Sequence, residues 1–435
     1  MKIRLFIVAI TFLLTIFFFI GLLAGGVALA THLPVFVDNI YFNRAENLVS
    51  NEPFEDLLLG DPLVDAAGPT PIESDDEDVN STHPVTIPIV DAPEGLVTIT
   101  ISAAGDVTLG GDSRLLGYHQ FMEVFERNNR DFSYFLRYVR SIFEASDLSI
   151  VNLEGTLTDA TEHIYAPFIF RAPPSFARIL TYGAVDMVTV ANNHTFDFFE
   201  VGYQDTLNAL RAEGIGYFGN DMNTMIEVNG LQVGLFGFLM WEDSFEHRAN
   251  IENAIADLQA RGAHLIIAYH HWGIMGETLA APYQQDLGQF TLDSGAHLVL
   301  GSHPHNIQGI QRHNGRFIVH SLADFCYGGH SHPDDQDSFI FQQTFTFVDG
   351  VLQDTEDINI IPIMMSSIRY YNNFQPVVAD VVDAGRIKER LTRYSEWIGS
   401  TLTSDMFTMP EGGANYFNES DQLGNDDTAE DYQQN

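Results

Sequence analysis

Short apolar runs alternate with stretches of helical spacing through the middle of the chain. Runs of strand length lie at residues 97–103, 148–151, 187–190, 233–238, 265–268, 298–300 and 317–319. Apolar residues recur at helical spacing over residues 132–143, 202–212, 254–261 and 283–293, and again between about 383 and 402. This alternation predicts an α/β fold with largely buried strands.

A long apolar run opens the chain. Lys2 and Arg4 precede it, and it extends from residue 5 to about residue 30 without a polar face. The run exceeds the roughly 7–15 residues of a signal-peptide core and is long enough to span a bilayer. Because the basic residues direct the rest of the chain outward, we expect a signal anchor and a single-pass membrane protein with an extracytoplasmic domain. Ala28-Leu29-Ala30 resembles a signal peptidase site, so cleavage and secretion stay open as the alternative.

Polar segments flank the part of the chain that is predicted to fold. Pro, Ser, Thr, Asp and Glu are frequent from about residue 31 to 95, and Gly, Asn, Asp and Gln from about residue 404 onward. Such composition buries too little apolar surface to fold alone. The predicted organisation is a transmembrane helix at 1–30, an acidic disordered stalk at 31–95, a folded domain at 96–365, a C-terminal helical extension at 366–403 and an acidic disordered tail at 404–435.

The charge balance is strongly acidic. The chain of 435 residues carries 59 acidic and 20 basic residues, which gives a formal net charge of −39. A surface of this sign repels the phosphates of DNA and RNA and argues against nucleic acid as a partner. It is compatible with attraction to metal cations. Cys326 is the single cysteine, so no disulfide forms within the chain.

Polar side chains follow six of the seven predicted strands, at the point where each strand ends. They are Asp106, Asn152, Glu154, Asn192, Asn193, His194, His270, His271, Ser302, His303, His305, His320, Ser321 and Asp324. Ligands of an open α/β sheet bind beyond the carboxyl ends of its strands. Carboxylate and imidazole together suit Zn, Mn, Fe or similar divalent ions, and no cysteine is needed. Any one of these residues could instead cap a helix or close a turn, but their joint placement predicts a metal site.

Six segments carry a recognisable pattern between about residues 97 and 330. In order they are Gly105-Asp106-Val107-Thr108-Leu109-Gly110, Asn152-Leu153-Glu154-Gly155, Ala191-Asn192-Asn193-His194 with Asp197, His271-Trp272-Gly273, Gly301-Ser302-His303-Pro304-His305 and Ser321-Leu322-Ala323-Asp324-Phe325. The set resembles the CapA family of capsule and poly-γ-glutamate synthesis proteins, which is similar in fold to calcineurin-like metallophosphoesterases. The resemblance implies a four-layer α/β/β/α sandwich of the metallophosphoesterase type, preceded here by the N-terminal transmembrane helix.

The resemblance also implies roles for individual residues. One or two divalent metal ions (Mn, Zn, Fe or similar) would be held by Asp106, Glu154, Asn193, His271, His303 and His305. His194 would act as a catalytic acid or phosphate-orienting group, and Asp197 would orient it. Contacts to substrate would come from Asn192, Trp272, Ser321 and Asp324.

Three positions depart from the pattern that this resemblance implies. Thr108 stands where phosphoesterases carry a histidine, as is usual in the CapA family. Met275 stands where the family often has a glutamate. Asp324 replaces the asparagine of the usual Ser-Leu-Gly-Asn-Phe and adds negative charge near the predicted site.

Two functions of different class follow from these features. As an enzyme, the protein would use metal to hydrolyse a phosphate ester or a polymer-linked phosphate outside the membrane. As a non-catalytic accessory subunit of a polyglutamate or capsule synthase complex, it would bind or guide an anionic polymer. A capsule-unrelated extracellular phosphatase is a weaker third hypothesis. The metal-site residues, taken together, favour the enzyme.

Overall fold

The computed structural model describes residues 93–369 and 371–410. No helix within these ranges is long and apolar enough to cross a membrane. The predicted transmembrane helix at 1–30 and nearly all of the predicted stalk at 31–95 lie outside the described residues, as does most of the predicted tail. The described residues belong to one of two units into which the chain divides, Asp91–Asn435.

Strands and helices alternate along this unit. The strands are β1 Leu96–Thr108, β2 Leu148–Leu153, β3 Thr156–Leu157, β4 Arg171–Ala172, β5 Met187–Thr189, β6 Gly216–Phe218, β7 Thr224–Val228, β8 Leu231–Phe236, β9 Leu239–Met240, β10 Leu265–Trp272, β11 Leu298–Ser302, β12 Ile310–His313, β13 Arg316–Val319, β14 Asp324–Tyr327, β15 Asp337–Val348, β16 Val351–Leu352, β17 Asp357–Met364 and β18 Val377–Val378. The α-helices are α1 Leu116–Arg127, α2 Arg140–Glu144, α3 Ala177–Tyr182, α4 Phe199–Glu213, α5 Phe245–Ala260, α6 Pro282–Asp293 and α7 Val381–Trp397. Short 3-10 helices lie at Phe132–Tyr134, Pro174–Phe176 and Ser404–Met406.

Most of these strands form two large mixed sheets. The nine-stranded sheet has the order β18-β17-β15-β1-β2-β5-β6, with β14 paired to β1 and β16 paired to β15. The seven-stranded sheet has the order β12-β13-β11-β10-β8-β7, with β9 paired to β10. Strands β1, β2, β5 and β6 are parallel, and so are β8, β10, β11 and β13. The carboxyl ends of the parallel strands therefore share one edge in each sheet.

Three apolar cores fix the order of the layers. The first core lies between the sheets and contains Ile99 of β1 together with Ile267 of β10. The second joins the nine-stranded sheet to α1 and α4, through residues such as Phe121. The third joins the seven-stranded sheet to α5 and α6, through residues such as Leu258 and Leu287. Side chains alternate along each strand, so both faces of each sheet are buried and the layers run helix, sheet, sheet, helix.

The seven predicted strands are confirmed, and three of the four central helices are found. Two of these have boundaries within three residues of the prediction, whereas α5 begins at residue 245 instead of 254. The predicted helix near 383–402 is α7, which begins after Asp380, whose side chain caps the backbone N–H groups of Val382 and Asp383. The prediction of one helix over 132–143 is wrong. That segment forms a 3-10 turn and the short helix α2, because Phe135 stacks on Phe121 at 4.5 Å and packing in the second core overrides the helical spacing.

The start of the predicted disordered tail also needs correction. Residues 404–410 are ordered, and Phe407 is buried in the core between the sheets. The backbone N–H of Thr408 donates to the carbonyl oxygen of Ile360 at 3.0 Å. Met406 and Met409 also pack against this core, and burying Phe407 alone contributes roughly 1.5–3 kcal/mol to holding the segment in place.

Candidate metal centre

The predicted site residues converge where the carboxyl ends of the two sets of parallel strands meet. The side chains that the structure brings together are Asp106, Glu154, Asn193, His194, Asp197, His271, His303, His305 and Asp324. Each of them is buried except Asn193 and His305, which are partly exposed. The site is therefore a largely buried cluster of carboxylates and imidazoles.

His271 lies at the centre of one cluster of ligand atoms. Its Nε2 is 2.8 Å from Asn193 Oδ1, 3.1 Å from His303 Nδ1 and 3.7 Å from Glu154 Oε1. Burial lowers the pKa of both His271 and His303 well below the usual range, so both imidazoles are neutral. His271 Nδ1 lies 3.1 Å from Ser302 Oγ and 3.2 Å from Asn152 Nδ2, so these two side chains fix the orientation of the ring while Nε2 faces the other ligand atoms. The arrangement fits a divalent cation.

The carboxylate of Glu154 is the least compensated group in the site. It is fully buried, and neither of its oxygens has a hydrogen-bond partner within the part of the chain that the structure describes. Burial raises its pKa to about 8, and the neighbouring charge of Asp106 adds to the rise. One ligand atom from each of Glu154, His303 and His305 lies within 4.8 Å of the others. A metal cation bound there would remove the cost of burying this charge.

Asp106, His305 and Asp324 form a second cluster of ligand atoms within 4.8 Å of one another. His305 Nδ1 is 2.7 Å from Asp324 Oδ1 and 3.5 Å from Asp106 Oδ2. Burial lowers the pKa of His305, but Asp324, Glu154 and Asp106 outweigh it and raise the pKa to about 10. Asp106 Oδ1 accepts a hydrogen bond from Asn152 Nδ2 at 2.7 Å, so its orientation is fixed.

His194 and Asp197 form a hydrogen-bonded pair at the rim of the site. His194 Nδ1 lies 2.7 Å from Asp197 Oδ2, which also accepts from the backbone N–H of Phe170 at 2.6 Å. Burial lowers the pKa of His194, but the charge and hydrogen bond of Asp197 outweigh it and raise the pKa. The Nε2 atom lies 3.8 Å from Glu154 Oε1. The hydrogen bond to Asp197 therefore holds the imidazole with Nε2 facing the metal ligands.

Close backbone contacts position the loops that carry these ligands. Gly105 precedes Asp106, and a Cβ at position 105 would lie 1.8 Å from the carbonyl oxygen of Ala323. The missing side chain lets the Asp106 N–H donate to that same oxygen at 2.9 Å. His303 and His305 adopt positive φ angles of 98° and 57°. Such backbone strain in non-glycine residues is typical of functional sites, where the surrounding packing imposes it.

The structure places three of the four predicted substrate contacts among buried groups that form hydrogen bonds within the protein. Trp272 is fully buried in the third core, and its Nε1 donates to the carbonyl oxygen of His320 at 2.9 Å. Because successive side chains of β10 point to opposite faces, His271 faces the site while His270 and Trp272 face the helices. Ser321 is buried and accepts a hydrogen bond from Ala323 N–H at 3.2 Å.

Asn192 is also enclosed. Its amide nitrogen donates to Asn152 Oδ1 at 3.1 Å and to the Leu153 carbonyl oxygen at 2.8 Å. Its own Oδ1 accepts from the His194 backbone N–H at 3.0 Å. Asn192 therefore holds the loop that carries His194, and its polar atoms are used within the protein. Asp324, the fourth predicted contact, lies next to His305 as described above.

The structure adds residues that the sequence-based set omits. Asn152 links Asp106 to Asn192, and Ser302 contacts His271. Both lie inside motifs recognised in the sequence, so their position at strand ends was a usable signal. The ring of Tyr327 lies 4.9 Å from that of His305, and nothing in the sequence pattern marks it.

Comparison with known proteins places this geometry in a family context. Residues 100–328 match the family model described as "Bacterial capsule synthesis protein PGA_cap". The PGA biosynthesis protein CapA of Bacillus subtilis (strain 168) is 25% identical over 251 residues, covering 53% of this chain and 63% of that protein. The capsule biosynthesis protein CapA of Bacillus anthracis is 24% identical over 263 residues, covering 53% of this chain and 60% of that protein. The match thus spans about three fifths of the length of these two relatives.

A third relative matches more of the chain. A Mycobacterium tuberculosis (strain CDC 1551 / Oshkosh) protein, named "Probable polyglutamine synthesis accessory protein", is 22% identical over 362 residues. The alignment covers 70% of this chain and 90% of that protein. The similarity therefore extends beyond the segments that carry the candidate metal ligands.

Proposed function

Since the chain belongs to the bacterial capsule synthesis protein family PGA_cap, which its residues 100–328 match, we propose that it acts in the synthesis or export of a capsule or poly-γ-glutamate polymer. The names of the two Bacillus relatives support this role. The apolar run at residues 5–30 supports a membrane anchor with the domain on the extracytoplasmic side. The partners would be the membrane and a polyglutamate or capsule synthase complex.

Within that role, the domain carries a metal-dependent phosphoesterase-type site. The observation that carries this proposal is the buried carboxylate of Glu154, which has no hydrogen-bond partner among the described residues and lies 3.8 and 3.7 Å from imidazole nitrogens of His194 and His271. One or two divalent ions would be held by Asp106, Glu154, Asn193, His271, His303 and His305. When bound, such ions polarise a phosphoryl oxygen and lower the pKa of water. The helix, sheet, sheet, helix order of layers supports a metallophosphoesterase type of fold for residues 96–365.

His194 supplies the acid in this proposal. Asp197 accepts a hydrogen bond from Nδ1–H and stabilises the charged imidazole, in which Nε2 carries the second proton. That proton is donated to the leaving oxygen of a phosphoester, a step worth roughly 10²–10⁴ in rate. Phe170 packs against the imidazole with ring centroids 4.0 Å apart and limits its rotation.

An accessory role without catalysis is the second candidate. The name of the Mycobacterium tuberculosis relative and the net charge of −39 favour it. An acidic protein that contacts an anionic polymer needs cations between the two, since like charges repel. In this case the same metal ligands would hold an ion that bridges to the polymer, and His194 would donate no proton to a leaving group.

Hydrolysis of a phosphoester probe separates the two functions. The full chain, supplied with Mn²⁺ or Zn²⁺, should hydrolyse bis-p-nitrophenyl phosphate and lose this activity in a chelator. His194→Gln should lower kcat by roughly 10²–10⁴ while its metal content stays unchanged. His313→Gln is the matched control, because His313 also pairs with an aspartate, Asp293, but at the surface. A chain that binds metal and retains poly-γ-glutamate, yet hydrolyses no phosphoester, would instead establish the accessory role.

A further inference from the structure

The ligand atoms of the site fall into two groups that share His305. The first group contains Glu154, His303 and His305, and the second contains Asp106, His305 and Asp324. Asp106 and Asp324 are direct partners in the parallel pairing of β1 with β14, so both reach the same edge of the sheet. A single ion bound among Asn193, His271 and His303 would leave the carboxylates of Asp106 and Asp324 without a bound cation.

The charges in this space are poorly balanced by protein groups alone. Asp106, Glu154 and Asp324 are all buried, and within residues 93–369 and 371–410 every ion pair they form is with a histidine. Glu154 has no hydrogen-bond partner in the same ranges although it is fully buried, and it belongs with His305 to the first group. Buried carboxylates in this number need further positive charge.

We propose that Asp324 is a metal ligand, and that Asp106, His305 and Asp324 form a cation subsite separate from the one at Asn193, His271 and His303. Asp324 is poorly suited to contact the substrate directly, because a carboxylate repels a phosphate or an anionic polymer. Its Oδ1 is directed instead at His305 Nδ1, 2.7 Å away, with Asp106 Oδ2 3.5 Å from the same nitrogen. The two carboxylate oxygens and the imidazole nitrogen are donors that Mn²⁺, Zn²⁺ and Fe²⁺ accept.

This inference rests on the metal centre of the proposed function and gives it a definite stoichiometry. The subsite at His271 has two imidazoles and an amide oxygen, whereas the subsite at Asp324 has two carboxylates and one imidazole. Imidazole-rich sites suit zinc, and carboxylate-rich sites suit manganese. The two subsites should therefore differ in affinity for a given metal.

Isothermal titration calorimetry of the metal-stripped full chain with MnCl₂ tests the proposal, because it measures the number of bound ions and the affinity for each. The natural chain should bind two ions. Asp324→Asn keeps the shape of the side chain and removes its charge. This variant should bind one of the two ions at least about tenfold more weakly and bind the other with nearly unchanged affinity. Asp197→Asn is the matched control, because Asp197 makes the same 2.7 Å contact to a histidine but lies in neither ligand group. It should retain both ions.

The outcomes separate this inference from the proposed function. Unchanged binding of both ions by Asp324→Asn would overturn the inference and leave the metal centre standing, with Asp324 reduced to a partner of His305. Equally weakened metal binding in Asp324→Asn and Asp197→Asn would also overturn it, because the loss would then follow from removing any buried carboxylate charge and not from removing a ligand. A natural chain that binds no ion would overturn both. If Asp324→Asn fails to fold by circular dichroism, Asp324→Ser is titrated in its place with the same expectation.

Discussion

At the scale of single residues, Glu154 dominates the electrostatics of the site. Its carboxylate is fully buried, and its nearest charged or basic neighbours are imidazoles at 3.7 and 3.8 Å. An unpaired buried charge costs several kcal/mol, so the metal-free protein holds a proton there instead. This makes the stability of the metal-free protein sensitive to pH in a definite direction.

The pKa of Glu154 rises from 4.5 to about 8 on folding, so between these values the folded state binds more protons than the unfolded state. The free energy of unfolding of the metal-free chain should therefore decrease as pH rises from 5 to 8, by up to about 1.4 kcal/mol per pH unit from this group. Glu154→Gln should remove that contribution. Urea unfolding of both chains in chelator, at pH 5 and pH 8, measures the difference. Identical pH dependence in the two chains would refute the assigned pKa.

The residue types at the strand ends could be predicted from the sequence, but their contacts could not. Asp106, His271 and His303 stood out because polar side chains follow six of the seven predicted strands, where ligands of an open α/β sheet bind. The role of Asn152 depends on its neighbours Asp106 and Asn192, which are 46 and 40 residues away in the chain. Trp272 was predicted as a substrate contact, and only the alternation along β10 places it in the core.

At the scale of elements, the approach of β1 to the segment before β14 positions Asp106. A Cβ on residue 105 would overlap the Ala323 carbonyl oxygen, a backbone atom that cannot move aside easily. The parallel register Asp106 with Asp324 depends on this approach. The glycine before the first ligand is therefore a structural requirement of the site.

Gly105→Ala should lower the free energy of unfolding by about 3 kcal/mol, because overpacking against backbone forces the strand to shift. It should also weaken metal binding, since Asp106 moves with the strand. Gly385→Ala is the matched control: residue 385 lies in α7, and a Cβ there would have no atom within 4 Å. That variant should gain roughly 0.5–1 kcal/mol from helix propensity. Equal stability of the two variants, measured by urea unfolding, would contradict this account.

Elements with one simple pattern could be predicted, and those shaped by tertiary packing could not. Most of the parallel strands contain a short, continuous apolar run, such as residues 265–268 of β10, and the sequence marks them directly. The antiparallel strand Asp337–Val348 alternates apolar and polar residues over its second half, and it was not identified. Residues 132–143 have helical spacing but give their aromatic side chains to the second core.

At the scale of the whole molecule, the layer order explains why the ligands converge. Each sheet presents the carboxyl ends of its parallel strands at one edge, and the first core holds the two sheets face to face. Asp106, Glu154 and Asn193 come from the nine-stranded sheet, while His271 and His303 come from the seven-stranded sheet. Neither sheet alone supplies a complete ligand set. The metal centre is thus a consequence of how the sheets pack, which the sequence pattern alone does not specify.

The net charge of −39 acts at the same scale. It raises the local concentration of cations around the protein and weakens the approach of anionic substrates or polymers. Bound metal would offset this repulsion at the one place where an anion must come close. Metal content is therefore the quantity on which the functional account depends.

The most direct test is metal content, measured by mass spectrometry on the full chain purified without chelator. The account predicts one or two transition-metal ions per chain, and a clear loss in Glu154→Gln, whose fold is checked by circular dichroism. A folded natural chain that carries no metal, and takes up none on titration with Mn²⁺ or Zn²⁺, would contradict the central claim.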